Sequence, residues 1–235
     1  MRPSCGALPL MNLSRLTAVA VATLAAACAL AVSAQARPGA ARCAKAGYSY
    51  AGVQATTPMR GLSALISIAG TVHVTSGHAA GWVGVGGVGQ GANGADEWLQ
   101  AGIASVPGGT TELYYEVTQA GNDPVYTSLG SVTAAETHRV GVWETSNNTW
   151  AVWLDGIQVS PAFSLPGSHG VWTPMALEES YDGGFTSCNA YRFTFDDLKS
   201  SAAPGVWQPL TKVMPFVDAG HTLRSTAGVL TVGRK

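Results

Sequence analysis

Charged residues and cysteines are both scarce in this chain. Only 11% of its 235 residues are Asp, Glu, Lys or Arg, less than half the usual share, and only four are cysteine. No cluster of Lys or Arg occurs, so the sequence offers no basic surface for nucleic acid or an anionic membrane. We therefore expect neither as a partner of the mature protein.

A secretory leader is predicted over residues 1–36. Arg2 and Arg15 precede an apolar run over 16–32, and Ala34-Gln35-Ala36 has the small-residue pattern of a cleavage site. The run is at the short end of the range for a membrane-spanning helix, so a membrane anchor is the weaker interpretation. Met11 could equally be the first residue of this leader. The pattern predicts a secreted, extracellular protein.

Removal of the leader leaves roughly 200 residues, which is enough for one domain with a substantial core. We predict a flexible N-terminal arm over 37–47 and a single domain over 48–235. The leader contains no acidic residue, so the mature chain is weakly acidic. We expect a monomer.

Metal and disulfide chemistry are limited by the few cysteines. Cys5 and Cys28 lie in the leader, and Cys43 and Cys188 remain. An even pair in an oxidising compartment predicts one disulfide, with free thiols as the alternative. The chain has no CxxC or HExxH motif, and its histidines show no ligand spacing, so we expect neither a metal nor a cofactor.

Helical periodicity is missing as well, and short alternating runs take its place. They are separated by Gly, Asn, Asp or Pro, which is typical of an antiparallel sandwich or barrel. The clearest hairpin joins 138–145 to 149–154 through the turn Ser146-Asn147-Asn148. The predicted strands cover 48–54, 62–69, 71–75, 98–106, 110–118, 138–145, 149–154, 157–159, 191–195 and 229–232.

Two of these runs carry polar groups on one face and apolar groups on the other. In 98–103 and 112–117, alternation turns Leu99, Ala101 and Ile103 toward a core. It turns Gln100, Glu112, Tyr114 and Glu116 outward, and Leu113, Tyr115 and Val117 inward. The acidic segment Met175-Ala176-Leu177-Glu178-Glu179-Ser180-Tyr181 could add a carboxylate to this polar surface.

Two familiar catalytic patterns do not fit. Gly84-Val85-Gly86-Gly87-Val88-Gly89 has the spacing of a dinucleotide-binding loop, but no helix follows it. We interpret it as a strand beginning at Trp82 that enters a mobile glycine-rich loop at the edge of a cleft. No Gly-x-Ser-x-Gly motif occurs, so a serine nucleophile is not indicated.

Paired carboxylates remain available for general acid and base catalysis on a glycoside or a peptide. The candidates are Glu112, Glu116, Glu178 and Glu179. For Glu112 and Glu178, a solvated position on an exposed sheet face is the favoured interpretation.

Four segments, taken together, resemble the signatures of the glutamic peptidases, or eqolisins. They are Trp82-Val83-Gly84-Val85-Gly86-Gly87, Leu99-Gln100-Ala101-Gly102, Tyr114-Tyr115-Glu116 and Leu177-Glu178-Glu179, within about 48–200. The resemblance implies an all-β, antiparallel two-sheet β-sandwich of the concanavalin A-like lectin and glucanase type, which is jelly-roll-like. It also implies a secreted endopeptidase active at acidic pH without a cofactor.

The resemblance assigns roles to individual residues. It places Gln100 on the catalytic glutamine, Glu179 on the catalytic glutamate, Glu116 on a supporting acid and Trp82 on the tryptophan that lines the cleft. In such a site a glutamate takes a proton from water, while the glutamine amide donates to the developing oxyanion. A polypeptide is then the expected substrate.

This chain departs from the family pattern at two positions. Gly86 and Ala104 stand where the fungal enzymes carry Asp, which changes the electrostatics around the catalytic glutamate. A one-residue shift would make Glu178 the matching residue and turn it to the other face. Two other functions stay open. One is a non-catalytic lectin-like module that binds glycan or peptide through Trp82, Trp98, Tyr114 and Glu116; the weaker one is a glycoside hydrolase.

Overall fold

Two antiparallel β-sheets pack face to face in the computed structural model, which describes residues 47–181 and 188–234. This confirms the all-β, two-sheet sandwich. Strands are numbered in chain order. The described residues also contain two single-turn 3₁₀ helices, Ala92–Gly94 and Pro166–Ser168.

The first sheet carries the candidate site and has seven strands among the described residues. In spatial order they are β15 (Val213–Val217), β1 (Tyr48–Ala55), β12 (Met175–Tyr181), β4 (His78–Gly87), β5 (Glu97–Ser105), β6 (Thr111–Thr118) and β7 (Val125–Ser131).

The second sheet covers the inner face of the first. Its main path runs through β10 (Ile157–Gln158), β9 (Thr149–Leu154), β8 (Thr137–Ser146), β2 (Gly61–Ile68), β13 (Asn189–Ala203), β17 (Val229–Arg234) and β16 (His221–Thr226). Three short strands pair beside this path: β3 (His73–Val74) and β14 (Val206–Pro209) with β13, and β11 (Phe163–Ser164) with β9.

The core lies between the sheets and follows the alternation of the strands. Side chains that alternate along β5 and β6 are buried against the second sheet as predicted: Leu99, Ala101, Ile103, Leu113, Tyr115 and Val117. Phe193 and Phe195 of β13 are fully buried among them. Each large apolar side chain buried in this way stabilises the fold by about 1.5–3 kcal/mol.

The predicted hairpin is present and its turn explains its sequence. Strands β8 and β9 pair directly, and Asn147 and Asn148 between them adopt positive φ angles of 48° and 64°. Asparagine tolerates this left-handed conformation better than most residues do. The turn interpretation of these two asparagines therefore agrees with the structure.

Two strand predictions were wrong. Strand β4 begins at His78 rather than at Trp82, and Gly84 and Gly86 lie inside it instead of in a loop. After the turn that follows Ala203, the described residues form four strands, of which the sequence predicted only the one over 229–232. Both errors come from sparse apolar alternation, because Gly-rich and polar strands carry little periodic signal.

Several predictions concern residues outside the described ranges. The leader over 1–36, Cys43 and most of the arm over 37–47 are among them, so secretion and the pairing of Cys43 with buried Cys188 stay predictions. Within the described ranges, no helix is long and apolar enough to cross a membrane. The same residues contain no group of three or more His, Cys, Asp or Glu side chains arranged to hold a metal ion.

Candidate functional site

A cleft of about 530 Å³ lies on the face of the first sheet that points away from the second sheet. Its floor comes from β1, β12, β4, β5 and β6, and further walls come from Val88, Gln90, Pro124 and Phe216. The side chains that matter most are Glu179, His78, Trp82, Gln100, Trp98 and Glu116.

The strand register explains why distant segments meet in this cleft. Gln100 of β5 lies directly opposite Glu116 of β6 and Gly84 of β4. Glu179 of β12 lies opposite Tyr50 of β1 on one side and Ala80 of β4 on the other. Because side chains alternate along each strand, these residues all project from the same face.

Glu179 is almost buried, and both of its carboxylate oxygens are held. His78 Nε2 lies 2.9 Å from Oε1, and the indole Nε1 of Trp82 donates to Oε2 over 3.2 Å. Glu179 is 7% exposed and Trp82 is 5% exposed. The carboxylate is therefore fixed in orientation at the floor of the cleft.

Gln100 is buried to the same degree as Glu179, and the structure shows one hydrogen bond donated by its side-chain amide. Its Nε2 donates to the phenol oxygen of Tyr114 over 3.2 Å. A primary amide has two N–H groups, so one remains for a ligand. Burial, and then the negative charges of Glu179 and Glu116, raise the pKa of Tyr114, so its phenol stays neutral and its O–H can donate in turn.

Glu116 is the second carboxyl group of the cleft. The indole Nε1 of Trp98 donates to its Oε1 over 2.9 Å. Burial raises the pKa of Glu116 above its usual value; the bond from Trp98 opposes this rise, the charge of Glu179 adds to it, and His78 opposes it. The charges of Glu116 and Glu179 thus act on each other across the cleft.

Gly84 makes room for the two functional side chains beside it. A Cβ at this position would lie 2.9 Å from the Trp82 ring and 3.0 Å from Gln100 Cβ. Both distances are shorter than normal carbon contacts. Glycine here therefore permits the close approach of the indole and the glutamine.

The two departures from the family pattern have different structural bases. Gly86 has φ +80°, and a Cβ there would overlap the backbone carbonyl of Glu97, so this backbone excludes an Asp. Ala104 packs in an apolar cluster with Ala80, Trp82 and Tyr114. Neither position supplies a carboxylate to the cleft.

Glu178 does not line the cleft. It is 0% exposed and lies on the inner face of β12. Its carboxyl group is hydrogen-bonded to Nδ1 of His221, and the other ring nitrogen of His221, Nε2, lies 2.9 Å from Ser49 Oγ. Burial raises the pKa of Glu178, and His221 opposes that rise. The predicted solvated position was wrong, and so was any role for Glu178 in the cleft, as a supporting residue or in place of the catalytic glutamate, because successive side chains alternate and Glu178 points to the opposite face from Glu179.

Glu112 also lies apart from the cleft residues. Its carboxylate accepts hydrogen bonds from Tyr126, over 2.7 Å, and from Ser128 on the neighbouring strand β7. Glu112 therefore links β6 to β7 through side-chain hydrogen bonds. Among the predicted site residues, the structure brings Gln100, Glu179, Glu116, Trp82 and Trp98 into one cleft, with Tyr114 beneath Gln100.

Sequence reasoning missed His78 and the aromatic wall formed by Tyr48 and Tyr50. The rings of these tyrosines stack with centroids 5.9 Å apart. Alternation would have indicated both tyrosines, since the predicted strand over 48–54 places them on one face. Nothing in the sequence around His78 indicates its partner 101 residues away.

Comparison with solved structures identifies the architecture. A crystal structure of scytalido-glutamic peptidase with a peptide-based transition-state analogue aligns with a TM-score of 0.54, at 16% identity, over 81% of this chain and 99% of that one. A second structure of that peptidase, with a transition-state analogue inhibitor, aligns with a TM-score of 0.53 at 17% identity over the same shares.

The chain has the fold of the glutamic peptidases. The resemblance seen in the sequence is therefore confirmed for the fold. A prokaryotic β-1,3-1,4-glucanase (lichenase) from a mouse hindgut metagenome also aligns, with a TM-score of 0.45 at 13% identity over 68% of this chain and 82% of that one. No protein-family model matches the sequence, and no curated protein matches it either.

Proposed function

We propose that this protein hydrolyses peptide bonds in polypeptides at acidic pH, with Glu179 and Gln100 as its catalytic pair. The observation that carries the proposal is the cleft itself. It holds an oriented carboxyl group at Glu179 and an amide at Gln100 that retains one N–H. The shared fold with a peptidase that binds a peptide-based transition-state analogue supports a polypeptide as the ligand.

Each group has a defined part in the proposed reaction. Glu179 takes a proton from a water molecule beside the scissile carbonyl as the water oxygen bonds to the carbonyl carbon. The amide of Gln100 donates to the oxyanion that forms. Glu179 then returns the proton to the leaving nitrogen as the C–N bond breaks. The same carboxyl group therefore takes up and releases the proton.

Glu116 supports the pair rather than acting in the bond-breaking step. It lies opposite Gln100, and its carboxyl group retains a proton to higher pH than an exposed glutamate does. In acid, Glu116 is therefore neutral and does not oppose ionisation of Glu179. This is a physical reason to expect an acidic working range in a cleft that contains two carboxyl groups.

The test is cleavage of a denatured protein by the purified parent and two variants, with new termini identified by mass spectrometry. Removing one oxyanion donor, as in Gln100→Ala, should lower kcat by about 10²–10³-fold. Glu179→Gln should lower it by at least about 10²-fold. Glu112→Gln is the matched control, because Glu112 is a carboxylate of the same sheet outside the cleft.

Thermal unfolding curves must show that all the variants are folded at the assay temperature. If the parent cuts nothing across the acidic range, or if both active-site variants cut as fast as the parent, the peptidase proposal is wrong. Binding of the inactive parent to an insoluble glycan would then favour the lectin-like alternative. The aromatic wall of Tyr48 and Tyr50, together with the ring of Trp98, would suit that ligand through ring stacking.

Secretion completes the proposal and rests on the leader predicted over 1–36. A protein of this kind would act outside the cell that makes it. Mass spectrometry of the protein recovered from culture medium would show whether the chain begins near Arg37.

A further inference from the structure

We propose that His78 is a positioning residue whose protonated ring keeps Glu179 ionised in acid and fixes its orientation. The inference rests on the proposed function, in which Glu179 must be ionised to take a proton from water. It adds a residue that the family resemblance did not indicate.

The contact between the two side chains is direct. His78 Nε2 lies 2.9 Å from Glu179 Oε1, while Trp82 donates to the other carboxylate oxygen. The side chains of His78 and Glu179 are 30% and 9% exposed, so solvent screens their interaction only in part. A charge-assisted bond in this setting favours the ionised carboxylate.

Two tyrosine rings hold the imidazole in place. Tyr181 stacks on His78 with ring centroids 5.6 Å apart, and Tyr48 approaches its edge at 6.0 Å. His78 and Tyr181 are also paired across β4 and β12, two residues along from Glu179. The ring therefore has little freedom to turn away from the carboxylate.

His78 is the cation nearest to hand for this role in the described part of the cleft. Among the described residues that line the cleft, His78 alone can carry a positive charge, and Glu116 and Glu179 are the acids. The tyrosines that face the pair are Tyr48, Tyr50, Tyr114 and Tyr181, and Asp218 lies behind Tyr50, whose backbone N–H it accepts over 2.9 Å. One cation thus faces two carboxyl groups.

The direction of the effect follows from the charges. A protonated His78 stabilises the Glu179 carboxylate, so loss of the imidazole should make Glu179 take up a proton at higher pH. The acidic limb of the kcat profile should then move to higher pH. KM should change little, because loss of the imidazole alters the protonation state of Glu179.

Three variants separate charge from shape. His78→Gln keeps an N–H donor without the charge and should move the acidic limb upward. His78→Lys restores a cation and should return the limb toward that of the parent. His138→Gln is the matched control, because His138 pairs with Asp155 over 2.8 Å on the other sheet. If His78→Gln and His138→Gln both retain the parental limb, the proposal is overturned.

An NMR titration of the His78 ring tests the pair independently of peptidase activity. The signal is assigned by its loss in His78→Gln, and its titration midpoint is compared between the parent and Glu179→Gln. We expect the midpoint to fall when the carboxylate is removed. An unchanged midpoint would refute the pair, even if the parent cuts peptides; a lowered midpoint in an inactive parent would sustain the pair and reject only the peptidase function.

Discussion

Adding one methyl group at Gly84 should impair the cleft while leaving the fold in place. The new Cβ would lie 2.9 Å from the Trp82 ring and 3.0 Å from Gln100 Cβ, against a normal carbon separation of about 3.5–4.0 Å. The indole and the glutamine must therefore separate by several tenths of an ångström or more. Misplacement of a catalytic group by about 1 Å can cost about a hundredfold in rate, so Gly84→Ala should lower kcat/KM by roughly 10- to 100-fold.

Gly81→Ala is the matched control on the same strand. Its Cβ would point to the opposite face and lie 2.6 Å from the ring of Phe193 in the core. Overpacking of this kind costs about 1–3 kcal/mol of unfolding free energy, but it leaves the cleft side chains in place. Urea unfolding and peptide cleavage, measured together, separate the two effects.

Opposite outcomes are expected from the pair. Gly84→Ala should lose activity with a small loss of stability, and Gly81→Ala should lose stability with near-parental activity per folded molecule. If Gly84→Ala cuts like the parent, or if Gly81→Ala loses as much activity as Gly84→Ala, the assignment of the two faces to cleft and core is wrong.

Three further predictions concern ionisable and backbone positions. Glu116→Gln replaces a carboxyl group that is already protonated in acid, so the acidic limb of kcat should stay near the parental position, unlike the upward shift expected for His78→Gln; a clear shift of that limb would contradict the neutral state assigned to Glu116. Because burial raises the pKa of Glu178, the folded state binds its proton more tightly than the unfolded state does, and this contribution to stability falls as pH rises above about 4.3. Glu178→Gln has no such carboxyl group, so its unfolding free energy minus that of the parent, measured in urea titrations, should rise between pH 4 and pH 7. A difference that stays constant over this range would contradict the raised pKa of Glu178. Gly86→Asp should destabilise the protein and not increase activity, because Gly86 has φ +80° and a Cβ would overlap the carbonyl of Glu97; a stable variant with higher activity would refute this account.

Local alternation predicted much of the first sheet correctly. The inward set that begins at Leu99 and the outward pair Gln100 and Glu116 follow from period-two patterning on two neighbouring strands. The turn at Asn147-Asn148 was predictable because it demands positive φ angles. In these segments the local pattern and the tertiary structure favour the same arrangement.

The predictions failed where that agreement is missing. Glu178 has the sequence character of a surface residue, but its partner His221 lies 43 residues away and makes a buried position possible. His78 shows the same limit, because its role depends on a pairing of β4 with β12 that no local pattern reveals. The later part of strand β4 was predicted as a loop because the glycines at 84 and 86 serve close packing and carry no alternation signal.

The most direct test of the central claim is single-turnover cleavage of a peptide by the parent and by Glu179→Gln at acidic pH, with binding of the same peptide measured in parallel. We predict that the parent cleaves the peptide, and that the variant binds it with similar affinity but cleaves it at least about a hundredfold more slowly. Equal cleavage rates in the two proteins would contradict the account, and so would a parent that binds the peptide and leaves it intact.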